Sequence, residues 1–127
     1  MCIRDSDAGI PKPILLGVTI LTSIDEPGFK SSFGSERQLT EQVVFLAKQS
    51  KEAGLDGVVA SPLEIESIRK ACGDNFLIVT PGIRPKWADP GDQRRITTPA
   101  EAINRGADFI VVDRPIIEAE DPLEALQ

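Results

Sequence analysis

Gly54-Leu55-Asp56-Gly57-Val58-Val59-Ala60-Ser61-Pro62-Leu63-Glu64 contains a helix end, a strand and the next helix start in direct succession. Glycine ends the first helix, and an aspartate leads into an apolar run with no polar alternation. Ser61 then caps a second helix, with proline at its first position and a carboxylate at its third. The same junction returns as Gly106-Ala107-Asp108 followed by Phe109-Ile110-Val111-Val112. Thr98-Pro99-Ala100-Glu101 and Asp121-Pro122-Leu123-Glu124 repeat the helix start. Outward from these junctions, Leu39, Val43, Leu46 and Ala47 recur at helical spacing between a Ser35-x-x-Gln38 cap and Gly54, and Ile65, Ile68 and Cys72 do so before Gly73. Residues 14–21, 57–60, 76–79 and 108–112 are the strand candidates. Continuous apolar strands of this kind are buried on both faces, as in a parallel sheet covered by helices. Strands alternating with single helices give β/α units joined by right-handed crossovers. Four such units can be counted, and a closed (β/α)8 barrel needs eight and typically ~250 residues. The expected fold is therefore α/β, half of a TIM barrel, over residues 10–127. Residues 1–9, in which Met1-Cys2-Ile3-Arg4-Asp5-Ser6 has neither strand nor helix periodicity, read as a leader outside that domain.

Composition narrows the function. The 41% hydrophobic and 27% charged content is that of a globular chain, since a disordered one has fewer Val, Ile and Leu residues. Histidine is absent, which excludes Ser-His and Cys-His catalysis and removes the commonest metal ligand. Two cysteines, Cys2 and Cys72, make no disulfide framework, and Cys72 falls on the apolar face of a helix. A net charge of −6 argues against nucleic acid as a partner. No apolar run approaches the ~20 residues that span a bilayer, and the expectation is a cytoplasmic protein without a membrane partner.

Against this acidic background, Thr80-Pro81-Gly82-Ile83-Arg84-Pro85 and Val111-Val112-Asp113-Arg114-Pro115 each place an arginine just past an apolar strand. Gly91-Asp92-Gln93-Arg94-Arg95 lies between them. Guanidinium forks and a glutamine amide on one rim of a parallel sheet suit a phosphate, because they present fixed N–H donors to its oxygens. For Lys86, Arg94 and Arg95, a solvated surface role is the better reading. Residues 84–97 form a long polar connection containing glycine and proline, the usual makeup of a lid.

These motifs, with Val18-Thr19-Ile20-Leu21-Thr22-Ser23 before them, occur in one order and at spacings that resemble the C-terminal half of the bacterial orotidine 5′-phosphate decarboxylase family. The resemblance runs from about residue 10 to residue 127. It implies a (β/α)8 barrel of which this chain covers strands 5 to 8. It further implies that Thr22 lies in the nucleotide site and that Arg84, Gln93 and Arg114 bind the substrate phosphate. Asp113 joins that substrate-binding group at a position where the family has glycine, and a carboxylate there would repel a dianion by on the order of a few kcal/mol. The implied reaction converts orotidine 5′-monophosphate to UMP and CO2, without metal or organic cofactor, in an enzyme that is a homodimer. Its catalytic lysine stands in an Asp-x-Lys-x-x-Asp pattern. No lysine here fits, because Lys12, Lys30, Lys48, Lys51, Lys70 and Lys86 follow Ile10, Gly28, Leu46, Gln49, Ile68 and Arg84 two positions back. No catalytic residue is therefore assigned, and the chain by itself is expected to be inactive. The alternatives are a noncatalytic phosphate-binding half-barrel and a related phosphosugar decarboxylase or synthase barrel.

Overall fold

The computed structural model describes residues 9–34, 36–85 and 97–126. The expected leader falls outside these residues except for Gly9, which is exposed. Four short strands, β1 (Leu16–Val18), β2 (Gly57–Val59), β3 (Leu77–Thr80) and β4 (Phe109–Ile110), form one parallel sheet in chain order. Helices α1 (Glu26–Phe33) and α2 (Leu39–Glu52) separate β1 from β2, and α3 (Ile65–Cys72) separates β2 from β3. Helix α4 (Pro99–Asn104) precedes β4, and α5 (Arg114–Ile117) and α6 (Pro122–Ala125) follow it. The expected sequence of β/α units is present, with its strands neighbouring in the order they occur.

Register divides the sheet into two faces. Gly17, Val58 and Ile78 pair across one level, and Val18, Val59, Val79 and Phe109 pair across the next. Side chains alternate between faces along a strand, so each level belongs to one side. Val58 and Ile78 are fully buried with Val43 and Ala47 of α2, Ile65 and Ile68 of α3, and Ala102 of α4. The second level is uncovered at the sheet edges, where Val18 is 62% and Phe109 55% exposed. This asymmetry fits half a barrel: helices cover the outer face, while among the described residues no strand faces the layer that would fill the barrel centre.

The two Gly-x-Asp junctions share one device. Asp56 donates its backbone N–H to the Leu15 carbonyl at 2.9 Å, and its Oδ2 accepts the Leu15 N–H at 2.8 Å. Asp108 repeats the exchange with Ile78, at 3.0 Å from its N–H and 2.7 Å to its Oδ2. Each aspartate thus binds both backbone groups of one residue in the preceding strand or directly before it. At Asp56 the Leu15 N–H, followed by the Lys12 ammonium, holds the carboxyl below its ordinary pKa, with partial desolvation opposing them. Arg69 on α3 secures the second junction by donating to the Gly106 and Phe76 carbonyls and pairing with Asp108 Oδ2 at 2.5 Å.

Several expectations are corrected. The run at residues 14–21 forms strand only over Leu16–Val18; Thr19 still donates its N–H to the Val59 carbonyl at 3.1 Å, and a turn begins at Thr22. Ser35 lies outside the described residues, and α2 starts from Gln38 with Glu41 returning to the Gln38 N–H at 3.2 Å. Helix α1, absent from the sequence reading, starts where Asp25 accepts the Gly28 N–H at 2.9 Å, and its Glu26 accepts the Leu39 N–H at the head of α2. The Ser61 cap holds, but its first turn, Pro62–Glu64, is a 3-10 turn ahead of α3. Cys72 is in the core as expected, and burial pushes its thiol pKa up.

Thr80 is fully buried, and among the described residues its hydroxyl has no hydrogen-bond partner. Thr80→Val, which keeps the shape and removes the stranded hydroxyl, is expected to raise stability by about 1 kcal/mol in chemical denaturation.

Candidate functional site

Thr22, Arg84 and Arg114 each stand four positions past the last residue of their strands, Val18, Thr80 and Ile110. Because the strands are parallel, all three occupy the C-terminal rim, the edge from which barrel loops present their functional groups. Arg84 and Arg114 follow neighbouring strands. Thr22 follows the opposite edge strand, three strand spacings of about 4.8 Å each from β4. It is buried and lies in a turn beyond the strand rather than at the strand's end.

Past β3 the backbone takes a left-handed conformation at Gly82, whose φ of 75° is costly for a residue with a Cβ. Arg84, two residues on, is only 7% exposed. Its Nη1 donates to the Ile83 carbonyl at 2.9 Å, and its backbone N–H donates to the Thr97 carbonyl at 3.0 Å. Among the described residues it pairs with no carboxylate. A guanidinium shielded from water in this way favours an anion, since burial strengthens its field and leaves the charge to be matched.

Arg114 is half-buried at the first position of α5, a short helix that the sequence motifs did not mark. Asp113 precedes it with φ −122°, so the backbone here does not require glycine. Its side chain is exposed and makes no capping hydrogen bond, while its carbonyl accepts from Ile116 and Ile117 at 2.8 and 3.1 Å. Gln93 lies outside the described residues, as do Lys86, Trp87, Arg94, Arg95 and the body of the expected lid. The residues flanking that segment are joined, because Ile83 and Thr97 form a parallel bridge.

Two carboxylates read from sequence only as helix-start residues stand out, Glu64 by its burial and Glu101 by its bonds. Glu64, beside the rim after β2, is only 2% exposed. Glu101 of α4 gathers three donors on Oε2: the Thr97 hydroxyl at 2.6 Å, the Thr98 hydroxyl at 2.9 Å and the Thr98 N–H at 3.0 Å. A carboxylate at the third position of a helix was the available signal for Glu101. Nothing local revealed its bond to Thr97.

The Thr97 hydroxyl, then the Thr98 N–H and hydroxyl, lower the Glu101 pKa from 4.5 to about 2. Since the folded-state value is depressed, this contribution is complete above pH 4.5 and is lost as the carboxylate protonates toward pH 2. Carbon-detected NMR of the Glu101 carboxyl is expected to titrate with a midpoint near 2, with the Thr98 amide resonance moving in step.

Among the described residues, no group of three or more His, Cys, Asp or Glu side chains could hold a metal, and no helix is long and apolar enough to cross a membrane.

Comparison with known proteins agrees with this architecture. The chain is 51% identical over 125 residues to orotidine 5'-phosphate decarboxylase of Moorella thermoacetica, covering 97% of this chain and 50% of that protein. It is 58% identical over 116 residues to the enzyme of that name from Trichlorobacter lovleyi, covering 91% and 48%. The crystal structure of orotidine 5'-phosphate decarboxylase from Lactobacillus acidophilus superposes with a TM-score of 0.77 at 42% identity, over 98% of this chain and 50% of that one. The chain thus spans about half the length of the curated relatives it matches. The sequence model of the orotidine 5'-phosphate decarboxylase / HUMPS family matches residues 4–127, and with four parallel β/α units in barrel order the chain belongs to that family.

Proposed function

We propose that this chain is the C-terminal half, units five to eight, of a cytoplasmic orotidine 5′-phosphate decarboxylase barrel, and that it supplies the grip on the substrate phosphate. Arg84, Arg114 and Gln93 are the phosphate ligands, Thr22 lies toward the nucleoside end, and Asp113 turns its carboxylate to solvent. The carrying observation is Arg84, a guanidinium almost excluded from water, without a carboxylate partner among the described residues, one strand from a second rim arginine. The spread from Arg114 to Thr22 across the rim suits a ligand with an anionic end and a longer polar body. The substrate is orotidine 5′-monophosphate, and the complete enzyme is a carboxy-lyase that needs no metal or organic cofactor, works as a homodimer and has no nucleic-acid partner.

These 127 residues contain no Asp-x-Lys-x-x-Asp array, so the chemical step depends on residues other than these. Binding and turnover are therefore expected to separate. Calorimetric titration of the chain with uridine 5′-monophosphate and with inorganic phosphate is expected to show binding that weakens with salt, while orotidine 5′-monophosphate releases no CO2. Absence of binding to both ligands overturns the phosphate reading, and measurable turnover overturns the assignment of chemistry elsewhere.

A further inference from the structure

We propose that Glu101 is a positioning residue for the phosphate site, acting through Thr97 on the backbone that carries Arg84. This role presupposes that Arg84 binds phosphate.

An ordinary capping box needs only the exchange between a helix's third residue and its N-cap, which Glu101 completes with Thr98. The bond from the Thr97 hydroxyl is additional and is the shortest of the three. Thr97 is buried, lies outside the helix, and receives the Arg84 N–H on its carbonyl. It also forms the parallel bridge with Ile83, the residue whose carbonyl holds Arg84 Nη1. A continuous path therefore runs from the Glu101 carboxylate through the Thr97 hydroxyl and carbonyl to the Arg84 backbone, next to the Ile83 carbonyl that holds its Nη1. Glu101 itself is exposed and never has to meet the ligand.

The path has a physical purpose. An arginine fork recognises phosphate through paired N–H bonds whose geometry is fixed, so a small displacement of its backbone misaligns both at once. Arg84 stands beyond the end of β3, where the sheet ladder no longer holds it, and among the described residues its backbone is held instead by Thr97. The bond between the Glu101 carboxylate and the Thr97 hydroxyl fixes the backbone segment that holds the arginine before ligand arrives, which lowers the ordering cost of binding.

Titration of the 127-residue chain and its variants with uridine 5′-monophosphate and inorganic phosphate tests this role. Glu101→Ala is expected to weaken both by roughly tenfold or more, as for other small misplacements of a binding group. Glu101→Gln keeps an acceptor oxygen and is expected to stay within roughly threefold of the parent. Asn104→Gly weakens α4 without touching Thr97, so it is expected to bind as the parent does. Thr97→Val removes only the hydroxyl donor and is expected to reproduce the Glu101→Ala loss, which keeps the test decisive if Glu101→Ala fails to fold. Parent-like binding by Glu101→Ala or Thr97→Val, where Arg84→Ala abolishes binding, overturns the positioning role and leaves the phosphate reading intact. An equal loss in Asn104→Gly overturns it too, since helix stability alone would then account for the effect. Parent-like binding by Arg84→Ala, or no binding by the parent, removes the phosphate reading itself and this role with it.

Discussion

Arg84→Ala is expected to cost about 2–5 kcal/mol in phosphate binding, the range found when one partner of a desolvated charge pair is deleted. That corresponds to a roughly 30- to several-thousand-fold rise in Kd for uridine 5′-monophosphate. The size follows from burial: a surface arginine would be screened and replaceable, whereas Arg84 is nearly inaccessible and its Nη1 is already fixed on the Ile83 carbonyl. Arg84→Lys should recover little, because an ammonium at this position restores the charge but not the planar pair of donors. Uridine, which lacks the phosphate, serves as the control. If Arg84→Ala weakens uridine and its monophosphate equally, the residue supports the fold of the rim and does not contact the anion.

Gly57→Ala is expected to be among the most damaging single changes in the chain, at about 3 kcal/mol or more of folding stability. A Cβ at Gly57 would meet the Leu77 carbonyl and stand 2.5 Å from Leu77 Cβ, on the strand with which β2 pairs. Backbone cannot rotate out of the way, so relief would require β2 and β3 to separate at the centre of the sheet. Gly17→Ala provides the contrast, since its closest contact is the Ser50 hydroxyl, the end of a side chain that can turn aside. A cost of about 1 kcal/mol is expected there. Chemical denaturation of both variants checks the difference, and equal losses would show that the β2–β3 approach is not the limiting contact.

The parts of this fold legible in sequence are those specified locally. Gly54-Leu55-Asp56 and Gly106-Ala107-Asp108 announce a helix end and a strand start with residues that do that work wherever they occur, and the structure has both junctions in place. Helix α1 was not legible, because Asp25-Glu26-Pro27-Gly28 has the composition of a turn and the helix buries Phe29 alone. The strand at residues 14–21 was read too long for the opposite reason: hydrophobicity marks what is buried, and Ile20 is buried without belonging to the ladder. At the site, the rim arginines could be read because each follows its own strand. The link from Glu101 to Arg84 could not, since it depends on the bridge between Ile83 and Thr97, two residues far apart in the chain.

The reciprocal bonds of Asp56 with Leu15 and of Asp108 with Ile78 have a consequence for how such a chain can be rearranged. Each of these two junctions carries its own alignment mark, a carboxylate that accepts one chosen amide in or beside the strand before it, so a β/α unit is indexed to its neighbour rather than to the closed ring. Units built on this plan can be duplicated, exchanged or grafted as blocks, and each block arrives with the instruction that sets its height against the last.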